Sequence, residues 1–173
     1  EILDVHAIEI LDCLGIPTLE VTVTLKDGIE GSALVPGGYP PIQNGVCDLR
    51  DGDRRHCGMG VEQAVTNVNT RIADKIIGMN VLEQVKIDRL LLKADGTDNK
   101  RRYGGNAILG VSMACARAAA NALGIPLYRY MGGTHSSKLP MPIINLINGG
   151  EGIQNTLDFK EVMIVPINAD GFC

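Results

Sequence analysis

Hydrophobic and polar residues alternate strictly near the start of the chain, over residues 18–25. The apolar members share one side of this segment: Leu19, Val21, Val23 and Leu25. A period of two predicts a β-strand with one buried and one exposed face. Asp27-Gly28 supplies a turn and the alternation resumes over residues 29–35, so we predict a β-hairpin. Residues 1–11 form a third predicted strand, which Gly15-Ile16-Pro17 separates from the hairpin.

The middle of the chain has the spacing of amphipathic helices. Apolar residues recur every three or four positions over residues 61–76, which predicts a first helix. Asn80, with Glu83 three residues later, resembles a capping box that opens a second helix towards Leu92. A third helix is predicted over residues 106–123. It is apolar on most sides and rich in alanine, which is typical of a central buried helix.

Two apolar runs follow Gly132-Gly133, at residues 139–147 and 159–165. Asn148-Gly149-Gly150 forms a turn between them. Both runs read as strands that are buried on both faces. No later part of the 173 residues is long enough to cover these faces, so we expect exposed apolar strands unless a partner chain or the helices cover them.

Composition narrows the class of protein. A chain of 173 residues can bury the core of one ordinary domain, but it is shorter than the roughly 250 residues of a complete eight-stranded α/β barrel. Lys and Arg number 16 against 20 Asp and Glu, and this acidic balance argues against nucleic-acid or anionic-lipid partners. The five cysteines form no Cys-x-x-Cys pair, which favours a reducing compartment. No apolar run reaches the length of a membrane span, so we expect a soluble chain without a membrane partner.

Few residues of the chain suggest a particular chemistry by themselves. Asn148-Gly149-Gly150-Glu151-Gly152 could hold a phosphate with its amides, or it could be a turn between strands. Glu161 lies inside the second apolar run, beside Lys160. A buried acid needs either an ion pair or a raised pKa suited to proton transfer, and both interpretations stay open.

Several motifs, in order along the whole chain and without evident gaps, resemble those of the enolase family. They are Glu9-Ile10-Leu11-Asp12, Pro17-Thr18, Leu49-Arg50-Asp51-Gly52-Asp53, Asp95-Gly96-Thr97-Asp98-Asn99-Lys100, Gly105-Asn106-Ala107-Ile108-Leu109-Gly110-Val111-Ser112, Pro126-Leu127-Tyr128-Arg129-Tyr130, and Leu139-Pro140-x-Pro142-x-x-Asn145-x-x-Asn148-Gly149-Gly150.

The resemblance implies an α+β fold. A three-stranded antiparallel meander and a helical bundle would form the enolase capping domain over residues 1–133, and residues 134–173 would begin a truncated barrel with a C-terminal pair of orphan barrel strands. The family is a lyase of glycolysis, phosphopyruvate hydratase, which dehydrates 2-phosphoglycerate to phosphoenolpyruvate with two magnesium ions. It is usually a cytoplasmic dimer, and a barrel lysine removes the proton alpha to the carboxylate.

The family's active-site motifs are changed in this chain. Its mobile loop, Ser-Gly-Ala-Ser-Thr-Gly after Val-Pro, is here Gly37-Gly38-Tyr39-Pro40-Pro41-Ile42, so Pro40 stands where a serine binds magnesium. Gly152 replaces a substrate-contacting histidine, and Lys160 replaces a glutamine. Only Glu161 carries over, as a catalytic and substrate-binding residue. No metal ligand carries over.

Two hypotheses about function follow. In the first, the chain is an N-terminal fragment of a cytoplasmic enolase and does not dehydrate 2-phosphoglycerate alone, because it lacks the barrel lysine and three acidic magnesium ligands. In the second, it is a non-catalytic enolase-like binding or scaffold protein. Ile8 and Leu14 stand where the family has arginines near its dimer contact, so the expected partner is the missing barrel or a homo-oligomer of another kind.

Overall fold

The computed structural model describes residues 1–37, 45–136, 138–149, 157 and 159–167. The chain divides into two compact units, Glu1–Met131 and Gly132–Cys173. The loop with Pro40 and the position of Gly152 lie outside the described residues.

An antiparallel three-stranded sheet opens the first unit, as the alternation predicts. Its strands are β1 (Ile2–Leu11), β2 (Pro17–Leu25) and β3 (Glu30–Leu34), in the spatial order β1-β2-β3. Val21 of the central strand pairs with Ala7 on one side and Ala33 on the other. The four apolar side chains of the predicted strand face are buried, which confirms the predicted inner face.

The first predicted helix forms in three consecutive pieces. It comprises α1 (Glu62–Asn67), a π-helical turn (Val68–Ile72) and α2 (Ala73–Ile76). A short 3-10 turn precedes it (Arg55–Gly58). The apolar positions that predicted this helix are buried at Val61, Ala64, Val68, Ile72 and Ile76.

The second helix, α3, spans Gln84–Asp95, so the predicted capping box at Asn80 is wrong. The Asn80 side chain accepts a hydrogen bond from the Leu82 N–H at 3.1 Å, and the Asn80 carbonyl accepts one from Glu83 N–H at 3.0 Å. Asn80 therefore closes a turn of its own, since asparagine can hold the backbone in a non-helical conformation. The helix begins after this turn.

The third helix, α4 (Gly105–Ala122), packs against the sheet and is largely buried, as predicted. A Cβ added to Gly31 would lie 2.1 Å from the backbone nitrogen of Ala118, so β3 and α4 approach too closely for any side chain there. The helix ends where Gly124 adopts φ +64° and Ile125 N–H donates to the carbonyl of Ala120 at 3.1 Å. This pattern is a Schellman motif.

Two short helical pieces follow, α5 (Leu127–Gly132) and a 3-10 turn (Gly133–His135). Within the described ranges, no single helix is long and apolar enough to cross a membrane. By length and composition alone, only the bent pair of α4 and residues 127–135 would pass such a test.

The second unit contains β4 (Ile144–Asn148) and β5 (Glu161–Ile164), which pair antiparallel. The two strands are confirmed. Every residue of both strands is exposed, so the expected exposure of their apolar side chains is also confirmed, whereas burial on both faces, which the apolar runs alone predicted, does not occur. Thirteen large apolar side chains in the described part of residues 139–167 are at least 36% exposed. A hairpin without a second layer has nothing to bury its faces against.

Candidate functional site

Glu161, the predicted catalytic and substrate-binding residue, is the first residue of β5 and lies opposite Asn148 in the strand register. Its side chain is exposed. The premise of both sequence interpretations, a carboxylate buried in an apolar strand, is therefore wrong. Among the ion pairs of the described residues, Glu161 takes no part, with Lys160 or any other cation.

The start of the glycine-rich segment is tied to the strand pair. Gly149 N–H donates to the carbonyl of Lys160 at 2.7 Å, and a Cβ on Gly149 would lie 2.3 Å from the carbonyl oxygen of Phe159. Asn145 donates a side-chain hydrogen bond to Asn148 Oδ1. The Gly149 amide is thus already used by the hairpin and is not directed at a phosphate. The residues from Gly150 to Gly152 lie outside the described part of the chain.

The resemblance to enolases implies a magnesium site, which the side chains of the described residues would have to form. Mg²⁺ is held by carboxylate and other oxygen ligands in near-octahedral geometry. Across the described residues, no group of three or more His, Cys, Asp and Glu side chains is placed to hold a metal ion. Glu161 alone does not make such a donor set, so the described residues do not fit magnesium.

The motif after α3 serves the scaffold. Asp95 is fully buried, and its carboxylate accepts hydrogen bonds from Thr97 N–H at 3.0 Å and Tyr103 N–H at 2.8 Å, and one from the Thr97 hydroxyl. Burial raises the pKa of this carboxyl, but the Thr97 hydroxyl and the backbone N–H donors outweigh burial, so the net pKa is lowered. Asp95 therefore fixes the loop that joins α3 to α4 as a buried anion.

Two buried asparagines hold backbone segments that precede α4: Asn106 binds the segment at Leu49, and Asn67 binds the loop between α3 and α4. The Asn106 side chain accepts from Leu49 N–H at 3.3 Å and donates to the Leu49 carbonyl at 3.1 Å, as a neighbouring strand would. Asn67 donates to the carbonyl of Tyr103 at 3.1 Å. Both asparagines are buried. Their amides satisfy backbone groups that would otherwise be buried without a partner.

The charged motif at residues 48–53 is also structural. Arg50 donates to the carbonyl of Met59 at 2.9 Å, to the carbonyl of Pro17 and to Asp48 at 2.6 Å. The Asp51 carboxylate accepts from the N–H groups of residues 62 and 63, at 2.8 and 2.9 Å, at the start of α1. A carboxylate there satisfies free N–H groups and complements the helix dipole.

Glu9 joins β1 to the segment before α1. Its carboxylate accepts from Arg55 at 2.6 Å and from Val61 N–H at 2.8 Å, and His56 lies 3.5 Å away. Burial acts to raise the pKa of Glu9, but the hydrogen bonds from Arg55 and Val61 outweigh it and lower the pKa. Glu9 therefore acts as an anionic tether between two elements.

Two neighbouring grooves, which sequence reasoning missed, run along the exposed side of α4. Their volumes are about 660 and 510 Å³, and Asp88 and Ser112 line both. Ser112 Oγ donates to Asp88 Oδ1 at 2.7 Å, and Gln84 Nε2 donates to the same oxygen at 3.1 Å. No sequence motif could have found these grooves, because they depend on how α3 meets α4.

The fold of the first unit and the sequence of the chain match known protein families. A meander followed by helices is the architecture of an enolase capping domain, and residues 2–131 match the family described as enolase, N-terminal domain. Residues 136–173 match the family described as enolase, C-terminal TIM barrel domain. The chain belongs to the enolase family. The domain bounds at residues 133 and 134 remain a prediction.

Proposed function

We propose that the 173 residues are the N-terminal portion of an enolase-type lyase and do not by themselves convert 2-phosphoglycerate to phosphoenolpyruvate. The proposal rests on a contrast between the motif residues of the first unit and Glu161 of the second. Those of the first unit form hydrogen bonds that hold the scaffold, while Glu161 stands exposed on a two-stranded hairpin.

The dehydration of 2-phosphoglycerate requires more than the one exposed carboxylate of Glu161. Removing a proton alpha to a carboxylate builds negative charge, which prepositioned cations and donors must stabilise in a site shielded from water. Enolases are generally magnesium-dependent. The described residues supply no metal donor set, and the Glu161 side chain is exposed to water.

The exposed hairpin supports a role as part of a barrel. Thirteen large apolar side chains are exposed in the described part of residues 139–167, and such a concentration indicates a surface that further chain normally covers. In a complete barrel, further strands would pair with β4 and β5, and the helices of the barrel would cover the outer face of these strands. Glu161 would then bind substrate and take part in catalysis from the mouth of that barrel.

The same proposal covers the cell compartment and the partners. We place the chain in the cytoplasm, where glycolysis runs, with the remainder of a barrel or a second copy as its partner. Its acidic composition gives no basis for a nucleic-acid partner. Ile8 and Leu14 remove charges that the family has near its dimer contact, so any homo-oligomer would differ from the family's usual dimer.

A turnover assay tests the inactivity of the chain. The 173-residue chain, its Glu161→Gln variant and an intact enolase are each supplied with 2-phosphoglycerate and magnesium, and phosphoenolpyruvate is followed by its ultraviolet absorbance. We expect both forms of the chain to match a buffer blank while the intact enzyme turns over. Turnover by the unchanged chain that Glu161→Gln abolishes would contradict the proposal.

The alternative function is a non-catalytic enolase-like binding or scaffold protein. Pro40 in place of the family's metal-binding serine favours it, since proline offers no side-chain ligand and stiffens a loop that must close. A chimera with an intact enolase barrel distinguishes the two functions, because only a chain that still supports catalysis would let such a barrel work.

A further inference from the structure

The sheet of the first unit has two edges, β1 and β3, and the register shows which backbone groups point outward. Val35 N–H donates to the carbonyl of Leu19 at 2.9 Å. Because hydrogen-bonded pairs alternate along an antiparallel ladder, Glu30 and Ser32 direct their N–H and C=O groups away from β2. Such a row of outward groups is a template for another strand.

Side chains of α4 occupy this edge. Arg117 Nη1 donates to the carbonyl of Ser32 at 2.6 Å, and Asn121 Nδ2 donates to the carbonyl of Glu30 at 2.7 Å. The two donors are four residues apart, and so are neighbours on one face of the helix. Their spacing matches the two-residue repeat of outward carbonyls on β3.

At the opposite edge, formed by β1, one side chain makes the same hydrogen bonds that an adjacent strand would make. Asn69, in the π-helical turn, accepts from the N–H of Ala7 at 2.6 Å and donates to the carbonyl of Ala7 at 3.1 Å. One side-chain amide thus makes both hydrogen bonds that a residue of an adjoining strand would make.

We propose that Arg117, Asn121 and Asn69 are edge caps, whose function is to keep the sheet from pairing with the sheet of a second copy of this chain. The competing arrangement on the β3 side is an antiparallel pair centred on Ser32, which sets Glu30 opposite Leu34 of the other copy. That pair needs the Ser32 and Glu30 carbonyls that the caps hold. The caps act in the scaffold and are independent of the proposed enzymatic function.

Hydrogen exchange of the whole 173-residue chain tests the caps. In the double variant Arg117→Met and Asn121→Ala, exchange of the outward amides of Glu30 and Ser32 should slow with rising protein concentration, by roughly fivefold for each amide that gains a hydrogen bond. The unchanged chain and Arg89→Met should show no such dependence. Arg89 is an exposed arginine of α3 whose side chain makes no hydrogen bond to other described residues.

Three single substitutions test the caps separately if the double variant unfolds. Asn121→Ala alone, at an exposed position, should show the effect at Glu30 only, and Arg117→Lys, which retains a donor, should behave as the unchanged chain. Asn69→Leu makes the matching test at Ala7. Reading exchange at these residues separates edge pairing from any association through β4 and β5. Folded variants whose β3 and β1 amides exchange independently of concentration would overturn the proposal.

Discussion

Substitution of Asp95 by asparagine should destabilise the first unit without changing its shape. The carboxylate accepts from Thr97 N–H through Oδ1 and from Tyr103 N–H through Oδ2, so an amide must turn its NH₂ group towards one of these donors. One buried N–H then lacks an acceptor, which costs about 1–3 kcal/mol. The remaining hydrogen bonds lose their charge assistance. We expect a total loss of about 3 kcal/mol in the free energy of unfolding, a large part of the 5–15 kcal/mol typical of a domain.

Urea unfolding followed by far-ultraviolet circular dichroism measures this loss. Asp98→Asn is the matched control, because Asp98 lies in the same loop and its side chain is exposed. The control should unfold within about 0.5 kcal/mol of the unchanged chain.

The pH dependence gives a second check on the same residue. The pKa of Asp95 is lowered in the folded state, so its contribution is present above the ordinary value of 3.8 and is lost as the pH falls through the folded-state pKa. The stability gap between the unchanged chain and Asp95→Asn should therefore be constant at neutral pH and narrow only below about pH 4. A gap below about 0.5 kcal/mol at neutral pH, or one that persists in acid, would refute the reasoning.

The remaining predictions concern packing, backbone anchoring and thiol access. Gly31→Ala should strongly destabilise the chain in urea, because its Cβ would lie 2.1 Å from the backbone of α4, whereas Gly37→Ala meets only a movable carboxylate at 3.2 Å and should be mild. Arg50→Met should cost about 2 kcal/mol by the same measurement, since two backbone carbonyls lose their donor; an unchanged midpoint would contradict this. Burial raises the pKa of Cys115 to about 12, so a thiol reagent near neutral pH should modify the exposed Cys13 first and Cys115 only on unfolding, as peptide mass spectrometry would show. Equal rates at the two thiols would show that the core is open.

The local pattern of apolar and polar residues correctly predicted the strands and helices of the first unit. It failed where the structure of a segment depends on contacts with other parts of the protein. The alternation over residues 18–25 defines a strand and its buried face, because both depend on a period of two. Asn80 predicted a helix cap but forms a turn, since the same side chain can serve either purpose. The apolar residues of β4 and β5 predict that another layer covers these strands. The sequence pattern does not show where that layer comes from, and both strands are exposed among the described residues.

The sequence also predicted the candidate site only in part. Motif resemblance correctly identified the family, yet it could not show that Asp95 and Asn106 act inside the scaffold, because their partners are set by the tertiary fold. Asn69 belongs to no motif, and its partner Ala7 is 62 residues away in sequence. Glu161 was chosen by resemblance and stays a predicted site residue, although it is exposed where burial was expected.

The most direct test of the central claim, that these residues are the N-terminal part of an enolase-type lyase and need the rest of a barrel for catalysis, is a chimera. Residues 1–131 are joined to an enolase barrel with its complete catalytic set, once unchanged and once with the loop at residues 37–42 returned to Ser-Gly-Ala-Ser-Thr-Gly, which includes Pro40→Ser. Phosphoenolpyruvate formation from 2-phosphoglycerate with magnesium is measured for both. The account predicts turnover by both chimeras, with slower turnover for the unchanged loop because Pro40 offers no side-chain ligand to magnesium. No turnover by a folded chimera with the unchanged loop, while the chimera with the restored loop turns over, would contradict it and would favour the non-catalytic alternative.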